Sequence, residues 1–91
     1  MEFDWEGAKS ATNLRLRGFG FDHAALVFSG PTLETPDNRR AYSEIRIRAM
    51  GAIDADVLVV VYTDLDGIRR IISARKANAK ERHQWHSFVN L

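Results

Sequence analysis

The chain contains no cysteine. That excludes disulfides, thiolate zinc sites and a cysteine nucleophile, and it fits a reducing compartment. Only two prolines and six glycines occur, and there is no linker, internal repeat or low-complexity tract. Long hydrophobic runs are also missing. The longest, Val57 to Tyr62, is far too short to span a bilayer, so no membrane partner is expected. The opening M-E-F-D-W-E has no basic region and no apolar stretch. No signal peptide is therefore expected, and the cytoplasm is the expected location. Catalytic signatures are sparse too. Gly18-Phe19-Gly20 lacks the third glycine of a dinucleotide loop, and neither a P-loop nor a G-x-S-x-G turn occurs.

What the chain does have is charge, unevenly placed. The formal net charge is +1. From Arg69 to the C-terminus there are six Lys/Arg against one acid, Glu81, a formal +5. Residues 1 to 68 hold seven bases and eleven acids, a formal −4. A basic strand running into a basic helix is an electrostatic footprint for a polyanion. The alternative is two solvated surfaces whose charges segregate without a ligand. With 45% hydrophobic and 27% charged residues the composition is that of an ordinary globular protein. A length of 91 residues predicts one domain, residues 1 to 91.

Local patterns give an element order. Phe3 and Trp5 alternate with Glu2 and Asp4, which predicts a short first strand. Ala8 to Arg17 is rich in helix formers and stops at Gly18. Phe21 to Phe28 reads as a second short helix, capped by Gly20 or Asp22 and ended by Gly30-Pro31. Thr32 to Thr35 reads as an edge strand because prolines bracket it. Tyr42 to Met50 alternates, with Ile45, Ile47 and Ala49 predicted to face inward and Glu44, Arg46 and Arg48 outward. Val57 to Thr63 is apolar on both faces and should be central. The turns at Asp54 to Asp56 and Asp64 to Gly67 predict hairpins. Ile68 to Arg75 is the last strand, and Asn78 with Glu81 resembles a capping box opening a final helix. The expected fold is α+β, in the order β-α-α-β-β-β-β-α. Its sheet is expected to be antiparallel, with helices packed on one face and the other face open.

The last strand contains a conflict. One parity reads Ile68, Arg70, Ile72, Ala74 and the other Arg69, Ile71, Ser73, Arg75. Each mixes arginine with aliphatics, so either an arginine sits at the core's edge or a bulge resets the register. Guanidinium groups stay charged and bind phosphate oxygens bidentately. Arg70, Arg75 and Arg82 are thus candidates to converge on a phosphate, whereas Arg48 and Arg69 read as solubilising. His83 and His86 are one turn apart, but no further donor at ligand spacing completes a metal site. Either can serve in general acid–base chemistry, and either can be a plain surface histidine. Trp85, with Phe88 and Val89 on one helical stripe, reads as core before it reads as a base-stacking platform.

The chain as a whole resembles the BrnT toxins, ribonucleases of bacterial type II toxin–antitoxin systems. The resemblance rests on F-D-W-E…K…N-L-R…G-F-G-F, E-I-R-I-R-A-M-G, V-L-V-V-V-Y-T and, most specifically, R-I-I-S-A-R-K-A…E-R…W. It implies a RelE-like fold, RNA cleavage that slows translation and growth, and a BrnA-type antitoxin with a ribbon-helix-helix DNA-binding end. Promoter DNA would be bound only through the antitoxin complex. By motif, Arg46, Arg70, Ser73, Arg75, Glu81 and Arg82 fall on the family pattern. So do Phe3, Trp5, Asn13, Gly18, Phe21, Ala24 and Phe28, which look mostly structural, and Lys9. Three positions depart from it. Leu16-Arg17-Gly18 stands where Lys-His-Gly is usual, Ile68-Arg69 inverts the start of the last strand, and Trp85 replaces a tyrosine.

Together these readings predict an endoribonuclease without metal or other cofactor. In it the RNA 2′-hydroxyl attacks the adjacent phosphate, so DNA is not cut. The expected catalytic residues are Arg70, Arg75, Arg82, Glu81 and His83. Lys9, Arg46, Ser73, Lys76, Lys80 and His86 are expected to contact RNA. Candidates for the base are Glu81, His83, His86 and Lys9. The alternative function is a non-catalytic module that binds nucleic acid or a partner through the same basic surface.

Overall fold

The computed structural model describes all 91 residues. Strand β1 (Glu2–Trp5) leads into helix α1 (Gly7–Arg17) and helix α2 (Phe21–Ala24), which a 3-10 turn continues over Ala25–Ser29. Strands β2 (Leu33–Pro36), β3 (Ile47–Ile53), β4 (Asp56–Leu65) and β5 (Ile68–Lys76) follow, and helix α3 (Ala79–Val89) ends the chain. The fold is α+β in the predicted order.

The sheet runs β1-β5-β4-β3-β2. Its centre is β4, whose segment Val57 to Tyr62 is buried on both faces, as its unbroken apolar run requires. Strand β2 lies at an edge, where Pro36 needs no ladder donor. Strands β2 to β5 are antiparallel neighbours, but β1 joins β5 in parallel, so the sheet is mixed and not wholly antiparallel. The reason is topological. After β1 the chain crosses one face through α1 and α2 to the far edge, then meanders back to meet β1 running the same way. Tight turns drive the meander. Asp66 and Gly67 both take left-handed φ values, 54° and 79°, the conformation of a two-residue hairpin turn.

The helices divide between the two faces, which corrects the expectation that they share one. Alternate residues of a strand point to opposite faces. Leu58 and Val60 of β4 pack with Phe19, Phe21, Ala24 and Val27 beneath α2 and its 3-10 turn. A Cβ on Gly51 would lie 2.7 Å from the Val27 Cβ, so only glycine lets that turn rest directly on β3. Val57 and Val59 face the other way and pack with Met50, Ala77 and Trp85. Helix α3 therefore covers one end of the opposite face. The sequence pattern marks its apolar stripe without saying which face receives it.

Strand β3 also starts later than predicted. The ladder with β2 ends at Pro36↔Ile47. Beyond it Asp37 N–H still donates to the Arg46 carbonyl at 2.9 Å, but the chain then bows out as a loop. Ile45 is consequently 79% exposed and not inward-facing.

Candidate functional site

The register conflict of β5 is resolved by a bulge. Val61 pairs with Ser73 and Tyr62 with Ile71, which leaves Ile72 without a partner on β4. Arg70 pairs with Thr63, Ser73 with Val61 and Arg75 with Val59. Thr63, Val61 and Val59 are alternate residues of β4, so Arg70, Ser73 and Arg75 share a face although the arginines are an odd five positions apart. Arg48 of β3 pairs with Val61 and joins the same row. Arg69 goes to the other face. There it forks onto Asp64 at 2.8 and 2.9 Å and lies 3.9 Å from the Tyr62 ring centroid and 4.7 Å from that of Phe28. That role is structural and corrects the reading of Arg69 as a solubilising residue, since its side chain is only 14% exposed.

Helix α3 fixes one end of the shared face. Asn78 Oδ1 accepts from Glu81 N–H at 2.8 Å, and Asn78 N–H donates to Glu81 Oε1 at 2.9 Å, the predicted capping box. Arg75 donates from Nη1 and Nη2 to the two Glu81 oxygens at 2.7 and 2.8 Å. These bonds hold the Glu81 carboxyl down at about 2, aided by the Asn78 amide and the charges of Arg75 and Arg48 and opposed by burial. Arg82 donates to the Ala77 carbonyl at 2.8 Å, which places it at the strand–helix junction. Trp85, 5% exposed, anchors the helix on Met50, Val57 and Val59.

The loop from Asp37 to Arg46 overhangs the rest of the face. Thr63 Oγ1 donates to the Ile45 carbonyl at 2.7 Å and pins it there. Arg39 forks onto Asp37 at 2.7 and 2.8 Å, and these bonds lower the Asp37 pKa, with the Arg48 charge contributing. Arg46 lies 3.9 Å over the Tyr42 ring and donates to Glu44 at 2.9 Å. Beneath the loop is a cleft of about 440 Å³, lined by Arg39, Arg40, Tyr42, Arg46, Val61, Ile72 and Ser73.

Of the predicted site residues, Arg46, Arg70, Ser73, Arg75, Glu81 and Arg82 are carried by β5, its junction with α3, and the loop facing them. Arg70 is half-exposed and meets Asp4 at 3.1 Å. Lys9 is on α1, beside the part of β5 past Ile71 where the ladder with β1 has ended, in a second cleft of about 320 Å³ that also reaches Ile72 and Ser73. Lys76 and Lys80 are exposed, and Lys76 Nζ is 3.9 Å from Asp56. His83 and His86 are exposed on α3. Glu81, Trp85 and Phe88 form the sheet-facing stripe, and helical geometry puts His83 on its far side. No three His, Asp or Glu side chains gather where they could hold a metal ion.

A family model, the ribonuclease toxin BrnT of type II toxin–antitoxin systems, matches residues 5–81. The chain belongs to the BrnT family. The matched span includes β5 with its bulge, the overhanging loop and the capping box, and it ends at Glu81. Arg82, Trp85 and both α3 histidines lie beyond it. The chain matches no curated protein sequence. A BrnT toxin is a ribonuclease of a type II toxin–antitoxin system, which implies an RNA substrate and an antitoxin partner.

Sequence reasoning missed Asp37, Arg39, Arg40 and Tyr42, and it set Arg48 aside. The available signal was slight. Asp37 and Arg39 stand two apart just after a proline, a spacing that also describes an ordinary polar turn.

Proposed function

We propose that this BrnT toxin is a metal-independent endoribonuclease that cleaves RNA on the β5 face by 2′-hydroxyl attack. The observation that carries the reading is the bulge at Ile72. It turns a strand of mixed parity into one row of Arg70, Ser73 and Arg75, with Arg48 beside it. The 2′-oxygen loses its proton and bonds to phosphorus as the bond to the 5′-oxygen breaks and that oxygen takes up a proton; negative charge builds on the non-bridging oxygens, and preorganised cations aimed there lower the barrier. Arg75 and Arg70 fill that role, with Arg82 at the junction and the Ser73 hydroxyl as a neutral donor.

Glu81 works by holding Arg75. Its carboxylate already accepts three hydrogen bonds, and a pKa near 2 makes it a poor proton acceptor at neutral pH. Proton transfer then falls to Lys9 or His86, because His83 lies on the far side of α3 from the sheet. Arg46, Lys76 and Lys80 contact the flanking RNA. The proposed setting is the cytoplasm. Cleavage there slows translation and growth until a BrnA-type ribbon-helix-helix antitoxin covers the basic face, and the pair then binds promoter DNA through the antitoxin.

The test is cleavage of single-stranded RNA in excess chelator, with analysis of product ends. The expected products carry 2′,3′-cyclic phosphate or 3′-phosphate. Activity lost with chelator and restored by a divalent ion would refute the mechanism. RNA binding without cleavage would instead favour a non-catalytic module.

A further inference from the structure

We propose that the loop from Asp37 to Arg46 is a nucleotide subsite that takes one phosphodiester and one base of single-stranded RNA beside the scissile bond. This rests on the reading of the β5 face as the cleavage site.

The loop has no strand or helix, yet it is built to a fixed shape. It is tied at both ends by the Asp37–Arg46 backbone bond and the Thr63–Ile45 bond. The Asp37 side chain has no exposure at all, while its partner Arg39 is 63% exposed. Taking a carboxylate out of water is unfavourable unless its bonds are good. Here both oxygens are used, and the result is a guanidinium held rigidly over the sheet. Its charge reaches Arg75, whose pKa it opposes while Glu81 raises it. Asp37 balances the Arg39 charge, so the loop's net +1 comes from Arg40 and Arg46 against Glu44.

Two further features suit a nucleotide better than a bare anion. Arg40 pairs with no carboxylate and lines both the 440 Å³ cleft and an adjoining one of about 290 Å³. Tyr42 and Arg46 form a planar stack that Glu44 holds in register. Unstacked RNA bases bind on aromatic rings and guanidinium planes, and single strands pair such platforms with cationic grooves. An acidic peptide would use the charges but not the planar stack. The cleft floor runs to Ile72 and Ser73, so a strand lying in it continues onto the row with Arg70 and Arg75.

The experiment uses the full chain with Arg40→Gln and Tyr42→Leu, both exposed or half-exposed positions outside the two hydrophobic clusters. A labelled single-stranded RNA is titrated at several salt concentrations, and steady-state cleavage is measured in parallel. Each substitution should weaken binding on the order of tenfold and raise KM in step, with kcat held within about twofold. Arg40→Gln should also reduce the slope of log Kd against log salt by about 0.7, and Tyr42→Leu should leave it unchanged. Unchanged Kd and KM in folded variants would overturn the subsite. So would variants that bind RNA normally but lose affinity for the antitoxin, which would assign the loop to that partner. If the unsubstituted protein cuts no RNA, the ribonuclease reading fails, and the binding titration still decides the subsite.

Discussion

Replacing Glu81 with Gln isolates the ion pair at the strand–helix junction. Glutamine keeps the shape and is compatible with a capping box, but it offers Arg75 one acceptor in place of two, so the change removes the charge and one arm of the fork. A carboxyl held at about 2 against an ordinary 4.5 corresponds to about 3 kcal/mol as a ceiling. Arg75 is 39% exposed and Glu81 12%, so solvent screening reduces this to about 1–2 kcal/mol. For a domain of this size each kcal/mol moves the melting midpoint by about 4–8 °C. The pH dependence has a definite sign. The folded pKa lies below the unfolded one, so the pair contributes fully above pH 4.5 and fades as pH falls towards 2. Urea melts at pH 7, 4 and 3 (about one pH unit apart in the critical range) should show a gap between the two proteins that narrows with acid. No gap at pH 7, or a gap unchanged at pH 3, would refute the role given to the pair.

Trp85→Ala should cost about 3–5 kcal/mol in a urea melt, because the ring is 5% exposed and anchors the second hydrophobic cluster. A normal midpoint with weakened RNA binding would make it a stacking platform instead. Arg69→Met should lower stability by about 1 kcal/mol, since it removes the cation from the Tyr62 and Phe28 rings while Asp64, half-exposed, is left to water, yet it should leave the cleavage rate per folded molecule unaltered. A large rate loss would bring that face of the sheet into catalysis. An antitoxin that covers the basic face as proposed would lose affinity as salt rises, because exposed charge pairs are screened. Titrations insensitive to salt would contradict direct occlusion.

The parts of the fold that sequence revealed are those set by local chemistry. Gly18 stopping α1, the Asp66-Gly67 turn, the proline-bracketed edge strand and the Asn78–Glu81 capping box each depend on residues a few positions apart. The loop before β3 was hidden because Ile45, Ile47 and Ala49 mimic strand alternation, while Pro36 at the far end of β2 decides where the ladder stops. The face receiving α3 was hidden because a helical stripe fits either side of a sheet buried on both. The bulge was one of two stated resolutions of β5, and only pairing with β4 places it at Ile72. Arg70, Arg75 and Glu81 were legible as charged residues in a motif. That Glu81 clamps Arg75 follows from their geometry, since residues six apart in a strand and a helix need not meet.

The most direct test of the β5 face is single-turnover RNA cleavage in chelator by Arg70→Gln and Arg75→Gln beside Arg15→Gln. Arg15 is an exposed α1 arginine that forms no ion pair, so its loss controls for net charge. Arg70→Gln and Arg75→Gln should each slow cleavage on the order of a hundredfold while remaining folded, and Arg15→Gln should match the unsubstituted rate. Equal rates for all three, or cutting of an otherwise identical strand with a 2′-deoxy nucleotide at the cleavage site, would contradict the account.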